Sequence, residues 1–276
     1  MKTYSLDEYV SVIEKKLEAS VPRAPDGEKM REVMLYCLDG GGKRVRPMLC
    51  LEFCRLCGGE IEDALDFAAA VEFVHTYSLI HDDLPCMDDD VLRRGRETAH
   101  VRFGESTALL AGDAMLTHAF YLAAASRTVP PAVSAACVKV LADCAMGMVN
   151  GQVSDLELET RKATLDELYR TDRLKTGCLM EAACVMGVLA SGNATAERLA
   201  AAKEYALAFG LAFQITDDVL DMDEETGEKS TYVSVLGQSG AGELASEYAG
   251  KALDALKTFG PDAEFLKNYT LRVLSR

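Results

Sequence analysis

Residues 61–90 read IEDALDFAAAVEFVHTYSLIHDDLPCMDDD, an apolar segment that ends in a cluster of aspartates. Ile61–Ile80 predicts a long helix, because acidic residues occupy its first turn and apolar residues surround most of its axis. A helix that is apolar nearly all round must be buried among other helices. Ala108–Ala125 and Met180–Leu189 have the same character. The sequence therefore predicts an all-α fold, a bundle of many helices.

Helical periodicity continues along the rest of the chain, and we find no persuasive strand alternation. Pro22 and Pro25 end a first helix, residues 40–42 end a second, and Pro47 lies in the first turn of a third. The polar residues 82–104 are predicted to be irregular. Further helices are predicted over 105–126, 131–151, 164–190, 194–222, 239–258 and 261–274. Because no Pro/Gly/Ser-rich linker divides the chain, we expect residues 1–276 to form a single domain.

The composition limits the possible functions. The chain has 276 residues, a formal net charge of −15, 49% apolar residues and 26% charged residues, the balance of a folded globular protein. Its acidity argues against nucleic-acid binding, which needs a basic face. No apolar run reaches the roughly 18 residues of a membrane span, and nine scattered cysteines suit a reducing compartment. We therefore expect a soluble cytoplasmic protein without a membrane span or a nucleic-acid partner.

The first candidate site is the aspartate cluster that follows the long helix. Asp82 and Asp88 are six residues apart and would not align on a straight helix. Pro85 interrupts the helical ladder, however, so both carboxylates can turn toward one point. Mg²⁺ prefers a few such carboxylates completed by phosphate oxygens of a substrate. A single acidic run is more often a solvated loop, so the interpretation depends on a second site.

A second acidic run, QITDDVLD, covers residues 214–221. Asp217 and Asp221 are four residues apart, which places both carboxylates on one face of a helix. The apolar neighbours Phe213, Ile215 and Val219 indicate that this helix is largely buried, which makes the repulsion between like charges more costly. We therefore expect a cation between them, and two such runs together favour metal sites over solvated loops.

A third element is the basic, glycine-rich stretch GGGKRVRP at residues 40–47. Glycines let the backbone approach a ligand, and the positive charges that follow can bind phosphate oxygens. The stretch lacks the spacing of a nucleotide-binding P-loop. By itself it is weak evidence, because helix caps with basic neighbours are common.

Together these motifs resemble the trans-prenyltransferase (polyprenyl synthase) family, with the closest likeness to its bacterial farnesyl diphosphate synthases (geranyltranstransferases). The resemblance runs from about residue 28 to the C-terminus and rests on motifs in the family's order. These are GGKRVRP, His75 before His81, DDLPCMD with RRG, Gly151-Gln152, Lys175-Thr176, Phe213-Gln214 and DDVLD. The resemblance implies a helical bundle of roughly ten or more helices around a central apolar cavity, of the isoprenoid synthase type.

The resemblance also implies roles for individual residues. Three Mg²⁺ ions would be held by aspartates of the two acidic runs: Asp82, Asp83, Asp88, Asp217, Asp218 and Asp221. Arg93 would contact the allylic diphosphate. The metal-free diphosphate of isopentenyl diphosphate would be bound by Lys43, Arg46, His75 and Arg94. The carbocation and the leaving group would be faced by Lys175, Thr176, Gln214 and Lys229.

The implied reaction is the Mg²⁺-dependent condensation of isopentenyl diphosphate with dimethylallyl and then geranyl diphosphate, giving farnesyl diphosphate. Tyr77, five residues before Asp82, would close the hydrocarbon tunnel at the C15 length, although it also fits an ordinary core aromatic. A geranylgeranyl diphosphate synthase is the alternative. A homodimer is expected from the resemblance.

The chain departs from the family after the second acidic run. Relatives carry a longer, lysine-containing loop there, whereas only Met222–Glu228 lie between Asp221 and Lys229, with no lysine. We expect at most a loss of about 10–100-fold from one missing charge-assisted contact. A terpene cyclase, a non-catalytic helical partner subunit and a plain acidic scaffold are further alternatives. Each leaves part of the joint set of acidic and basic motifs unexplained.

Overall fold

The computed structural model describes residues 2–23, 25–159, 161–220 and 230–274, and these residues form mainly helices. The first four helices are α1 Leu6–Ser20, α2 Glu28–Leu38, α3 Val45–Leu56 and α4 Ile61–Asp82. A short hairpin of β1 Leu92–Arg93 and β2 Arg96–Glu97 follows, and then come α5 Ala99–Phe103 and α6 Glu105–Ala124. The prediction of an all-α fold is confirmed.

The described part of the second half of the chain contains six α-helices, one π-helical segment and one 3₁₀ segment. They are α7 Pro131–Leu158, α8 Leu165–Asp172, a π-helical segment Arg173–Gly177, α9 Cys178–Ala190, α10 Ala196–Leu220, α11 Tyr232–Ala255, a 3₁₀ segment Leu256–Ala263 and α12 Glu264–Leu274. The π-helical segment interrupts the single helix predicted over 164–190. Helix α7 is longer than predicted, because a helical backbone continues through its polar end. Helix α11 begins earlier than predicted, and Gly237, with φ +73°, interrupts its helical backbone.

Local sequence explains where several helices begin. Ser5, Thr164 and Thr231 each accept a hydrogen bond from the third residue of the helix that follows, and that residue bonds back. Such capping boxes satisfy backbone groups that a helix terminus leaves without partners. Helix α4 packs against α3, α6 and α9, and its middle turns are buried on nearly all sides. The apolar pattern of Ile61–Ile80 is therefore explained, as predicted, by burial of this helix among other helices.

The prediction for residues 82–104 was wrong in part, because this stretch contains the hairpin and α5. The two strands are only two residues long, too short for an alternating pattern to be visible in the sequence. The turn between them is formed by Arg94 and Gly95, whose φ angles are +54° and +76°. Two-residue hairpin turns need positive φ values at both central residues. Gly95 was therefore a local signal of this turn, but from the sequence it predicted only an irregular segment.

In the part of the chain that the structure describes, α7 alone is long and apolar enough to cross a membrane by length and composition. This helix packs against α6, α9 and the π-helical segment. A core helix of a folded protein satisfies the same criterion, so the helix by itself is weak evidence of a membrane span.

Candidate active site

The end of α4 brings the first two aspartates together. The helix stops at Asp82, and the chain turns so that the backbone N–H of Asp88 donates to the carbonyl of Asp82 at 2.9 Å. Burial raises the pKa of the Asp82 carboxyl to about 6, and Asp88 adds to the rise while Lys175 opposes it. The predicted turn around Pro85 is thus present. It gives two neighbouring carboxylates that attract a cation.

Asp83 points to a different partner. Its carboxylate accepts a hydrogen bond from Nε of Arg93 at 2.6 Å, and Nη2 of the same guanidinium forms an ion pair with that oxygen at 2.5 Å. Asp90 lies 3.4 Å from Arg93 on the other side. Burial raises the pKa of Asp83, and the contact with Arg93 opposes that rise. Asp83 therefore orients Arg93 beside Asp82.

The second acidic run lies at the C-terminal end of α10. One oxygen of Asp218 accepts from the Gln214 amide at 3.3 Å, and the other accepts from the backbone N–H of Tyr232 at 3.0 Å. Asp218 thereby ties the start of α11 to α10. Asp217 lies in the same final turns of α10. The predicted residues Asp221 and Lys229, and the short loop between them, lie outside the described residues.

The π-helical segment carries Lys175 and Thr176. Lys175 donates to Asp155 of α7 at 2.6 Å, and it lowers the pKa of Asp82 across the site. Thr176 is partly buried next to it. The close contact with α7 depends on Gly151, because a Cβ there would lie 2.2 Å from the backbone nitrogen of Lys175. Single-turn π segments recur at functional sites.

The basic stretch at residues 40–47 lies against α10. Lys43 lies over the ring of Phe213 with 5.1 Å between Nζ and the ring centroid, which brings the stretch against α10. Arg94 donates to the carbonyl of Gly41, and a Cβ on Gly42 would lie 2.6 Å from the Arg94 guanidinium. The buried Nε of Arg46 has no hydrogen-bond partner among the described residues. This nitrogen can donate to an acceptor oxygen of a ligand.

His75 lies among these cations. Its enclosure lowers the pKa of the imidazole well below the usual value, and the charges of the surrounding arginines lower it further. The ring is therefore neutral at pH 7 and can donate one N–H to an anion. Neutral His75 with the basic residues Lys43, Arg46 and Arg94 makes a site that suits a diphosphate without metal ions.

Tyr77 is buried one turn before His81, and the two rings meet edge to face with 5.7 Å between centroids. His81 contacts α6 through the carbonyl of Leu109, at 3.0 Å from Nε2. This approach needs Gly112, because a Cβ there would lie 2.0 Å from the imidazole. Tyr77 is thus buried on α4 against His81, and His81 joins α4 to α6.

The residues present suit magnesium. The donors of the two acidic runs are carboxylate oxygens, and the like charges of Asp82 and Asp88 lie side by side. Among the described residues, no three His, Cys, Asp or Glu side chains already form a metal cage. Mg²⁺ commonly binds through one or two carboxylates together with substrate phosphates, which fits this arrangement.

The sequence reasoning missed several residues that support the site. Asp155 lies three residues after Gln152, so its position on α7 was available from helical spacing. Glu72 likewise lies three residues before His75. Burial raises the pKa of Asp172 to about 7, and this carboxyl interacts with Tyr232 behind Asp218. No sequence signal marks Asp172, because its neighbours come from distant parts of the chain.

The chain is similar to known proteins in both sequence and fold. Residues 27–232 match the family model described as polyprenyl synthetase. The chain is 40% identical to the farnesyl diphosphate synthase of Geobacillus stearothermophilus, over 86% of this chain and 85% of that one. It is also 40% identical to the chloroplastic geranylgeranyl pyrophosphate synthase of Capsicum annuum, over 94% of this chain and 73% of the relative. The crystal structure of an FPP/GFPP synthase from Zymomonas mobilis superposes with a TM-score of 0.91 at 34% identity, covering 98% of this chain and 97% of that one.

Proposed function

This chain belongs to the polyprenyl synthetase family and is a trans-prenyl diphosphate synthase, and from that premise we propose that its product is farnesyl diphosphate. It would condense isopentenyl diphosphate with dimethylallyl diphosphate and then with geranyl diphosphate. The observation that carries the proposal is the pairing of two unlike sites. Asp82 and Asp88 suit a metal-bound diphosphate, and the cluster around Arg46 and His75 suits a metal-free one.

Ionisation of the allylic substrate requires that the charge on the departing diphosphate be neutralised. Mg²⁺ would supply Lewis-acid charge neutralisation there, held by the aspartates of both acidic runs: Asp82, Asp88, Asp217 and Asp221. Arg93, oriented by Asp83, would donate to the same diphosphate. Asp218 would support the site by holding α11 to α10. Lys229 would reach the leaving group.

The second substrate would be bound by Lys43, Arg46, His75 and Arg94. Neutral His75 and the unpaired Nε of Arg46 favour direct hydrogen bonds to diphosphate oxygens. Binding there would hold the alkene of isopentenyl diphosphate against the allylic carbon, so that the new C–C bond forms in an oriented pair.

The developing allylic cation must be kept from water and stabilised by nearby dipoles. Lys175, Thr176 and Gln214 would line this region, and Asp155 fixes the Lys175 ammonium. After the C–C bond forms, a proton leaves the new cation, and the released diphosphate would accept it. No separate histidine or glutamate base is needed in this scheme.

Tyr77 supports a C15 product, because its ring is buried on α4 five residues before Asp82 and packs edge to face on His81. Geranylgeranyl diphosphate is the second candidate product, since relatives at the same identity carry both names. A ring at this depth would stop the growing chain after three isoprene units.

Product analysis after reaction of isopentenyl and dimethylallyl diphosphates tests the C15 proposal. The wild-type protein should release mainly C15, and Tyr77→Ala should release C20 or longer, because the floor of the tunnel is removed. Tyr121→Ala, at an exposed aromatic, should leave the product length unchanged. A wild-type product of C20, or a C15 product from Tyr77→Ala, would remove Tyr77 as the floor.

A homodimer is part of the proposal, as is a cytoplasmic, single-domain enzyme. The support lies in α6 and α7, whose outer faces expose large apolar side chains that are normally covered. These side chains are Leu109, Leu110, Met146, Val149 and Val153. On α7 they repeat at helical spacing and form one stripe, as an isologous interface between two copies needs.

A further inference from the structure

A buried carboxylate lies within the basic cluster. Glu72 of α4 is one turn before His75, and its side chain is only 5% exposed. A negative charge at this place opposes the binding of a diphosphate, because it repels the substrate and attracts the same guanidinium groups. The structure pairs this carboxylate with Arg44, whose side chain is 4% exposed, at 2.8 Å between Nη1 and Oε1.

Both terminal nitrogens of the Arg44 guanidinium have partners within the protein. Its Nη2 donates to the carbonyl of Leu38 at the end of α2, while Nη1 holds Glu72 of α4. Its backbone adopts φ of +48° at the start of α3, a left-handed conformation that is uncommon for a residue with a side chain. Lys43 and Arg46, on either side of it, are left for the site described above.

The field of Glu72 reaches the guanidinium groups that would bind the substrate. Burial lowers the pKa of Arg46 and of Arg94, and the negative charge of Glu72 partly offsets that lowering in each. A carboxylate without its own partner forms bidentate contacts with arginine readily. Without Arg44, Glu72 would therefore draw Arg46 or Arg94 toward itself, because a buried unpaired charge is costly.

We propose that Arg44 is a positioning residue for the metal-free diphosphate: by neutralising Glu72, it keeps Arg46 and Arg94 available to the substrate. The proposal rests on the proposed function, since it assumes that isopentenyl diphosphate binds at this cluster. Arg44 itself touches no substrate in this account. It affects the reaction indirectly, because it determines which arginine pairs with Glu72.

The test compares steady-state kinetics of the full-length protein with Mg²⁺, varying isopentenyl diphosphate at saturating geranyl diphosphate and the reverse. Arg44→Gln should raise the KM for isopentenyl diphosphate about tenfold, the equivalent of one charge-assisted contact. The KM for geranyl diphosphate should change by less than about twofold. Arg44→Lys keeps a charge beside Glu72 and should restore most of the affinity.

The double variant Arg44→Gln/Glu72→Gln removes both the pair and the competition, so the KM for isopentenyl diphosphate should return most of the way to wild type. Arg55→Gln is the matched control, because Arg55 and Glu52 form another buried pair in α3 at 2.7 Å. It should lower the melting temperature and leave both KM values unchanged. A loss of stability alone therefore cannot imitate the predicted result.

Equal KM values for isopentenyl diphosphate in Arg44→Gln and Arg55→Gln, or no recovery in the double variant, would overturn the proposal. If Arg44→Gln does not fold, Glu72→Gln decides: the proposal predicts an unchanged or lower KM, and a tenfold rise contradicts it. Absence of condensation by the wild-type protein would instead refute the proposed function on which this inference rests.

Discussion

The Asp82 carboxyl is the single group on which the metal-binding proposal depends most. It lies at the end of α4, where burial and the charge of Asp88 raise its pKa to about 6. In the absence of a cation these two aspartates repel each other. A divalent cation removes that repulsion. The two aspartates are therefore favourable ligands for a cation, and they do not stabilise the fold by themselves.

Asp82→Asn should therefore lower kcat at least about 100-fold, because the neutral amide holds a cation poorly and several kcal/mol of charge stabilisation are lost. The melting temperature should be unchanged or higher, since the cost of burying the Asp82 charge, the main cause of its raised pKa, disappears. Asp254→Asn, at an exposed carboxylate paired with Lys257, is the control and should change neither quantity. A kcat within fivefold of wild type in Asp82→Asn would contradict the assignment.

At the residue scale, the backbone turn after α4 could be predicted from a short motif. The closeness of Asp82 and Asp88 followed from Pro85, and the structure contains that turn. The pairing of Asp83 with Arg93 did not follow, because a hydrogen bond across ten residues depends on the hairpin geometry. Glu72 and Asp155 lie outside the recognised motifs, and only the packing of neighbouring elements reveals their partners.

The π-helical segment is the element that brings Lys175 to the site. It lies against α7 at Gly151, where an added Cβ would be 2.2 Å from the backbone nitrogen and 2.7 Å from the Cα of Lys175. Backbone atoms cannot give way as the end of a flexible side chain can. The close approach of these two elements thus requires glycine at this position.

Gly151→Ala should destabilise the protein by about 1–3 kcal/mol, the usual cost of overpacking. It should also lower kcat by about tenfold or more, because Lys175 moves with its backbone. Gly250→Ala on α11 is the matched control: nothing lies within 4 Å of its added Cβ, so stability should rise by about 0.5–1 kcal/mol. Chemical denaturation and steady-state kinetics measure both effects. A stable, fully active Gly151→Ala variant would refute this account of the segment.

At the element scale, long apolar segments such as Ile61–Ile80 could be predicted because their burial imposes a composition. The helical interval 164–190 was predicted as one helix, since a π turn alters the hydrogen-bond partners without altering the apolar pattern. The hairpin at 92–97 was missed for a related reason. Its strands contain too few residues to show a period, and its turn depends on the positive φ of Arg94.

At the scale of the whole molecule, an acidic chain with net charge −15 must bind two polyanionic substrates. The structure suggests how: arginines of the basic stretch and of the hairpin surround His75 of α4, and the carboxylates of Asp82 and Asp88 lie farther along, at the end of the same helix and in the turn after it. Metal ions would convert the acidic side into a second anion-binding wall. Net charge alone would have excluded this class of ligand.

The exposed apolar stripe of α7 predicts that the whole molecule associates into a dimer. Met146→Glu combined with Val153→Glu should produce monomers, because two charges would be buried without partners in the interface. Leu271→Glu on α12 is the control, an equally apolar exposed side chain outside this stripe, and should remain dimeric. Light scattering after size exclusion measures the masses. A monomeric wild type, or a dimeric double variant, would contradict the interface.

We propose that this protein elongates an allylic diphosphate with isopentenyl diphosphate, and that it binds the two diphosphates at two different sites. The most direct measurement is incubation with isopentenyl and dimethylallyl diphosphates over a range of Mg²⁺ concentrations, followed by chain-length analysis of the products. Elongated products, mainly C15, should form together with released diphosphate, and both should be lost when Mg²⁺ is chelated. No elongation at any Mg²⁺ concentration, in a folded protein, would contradict it.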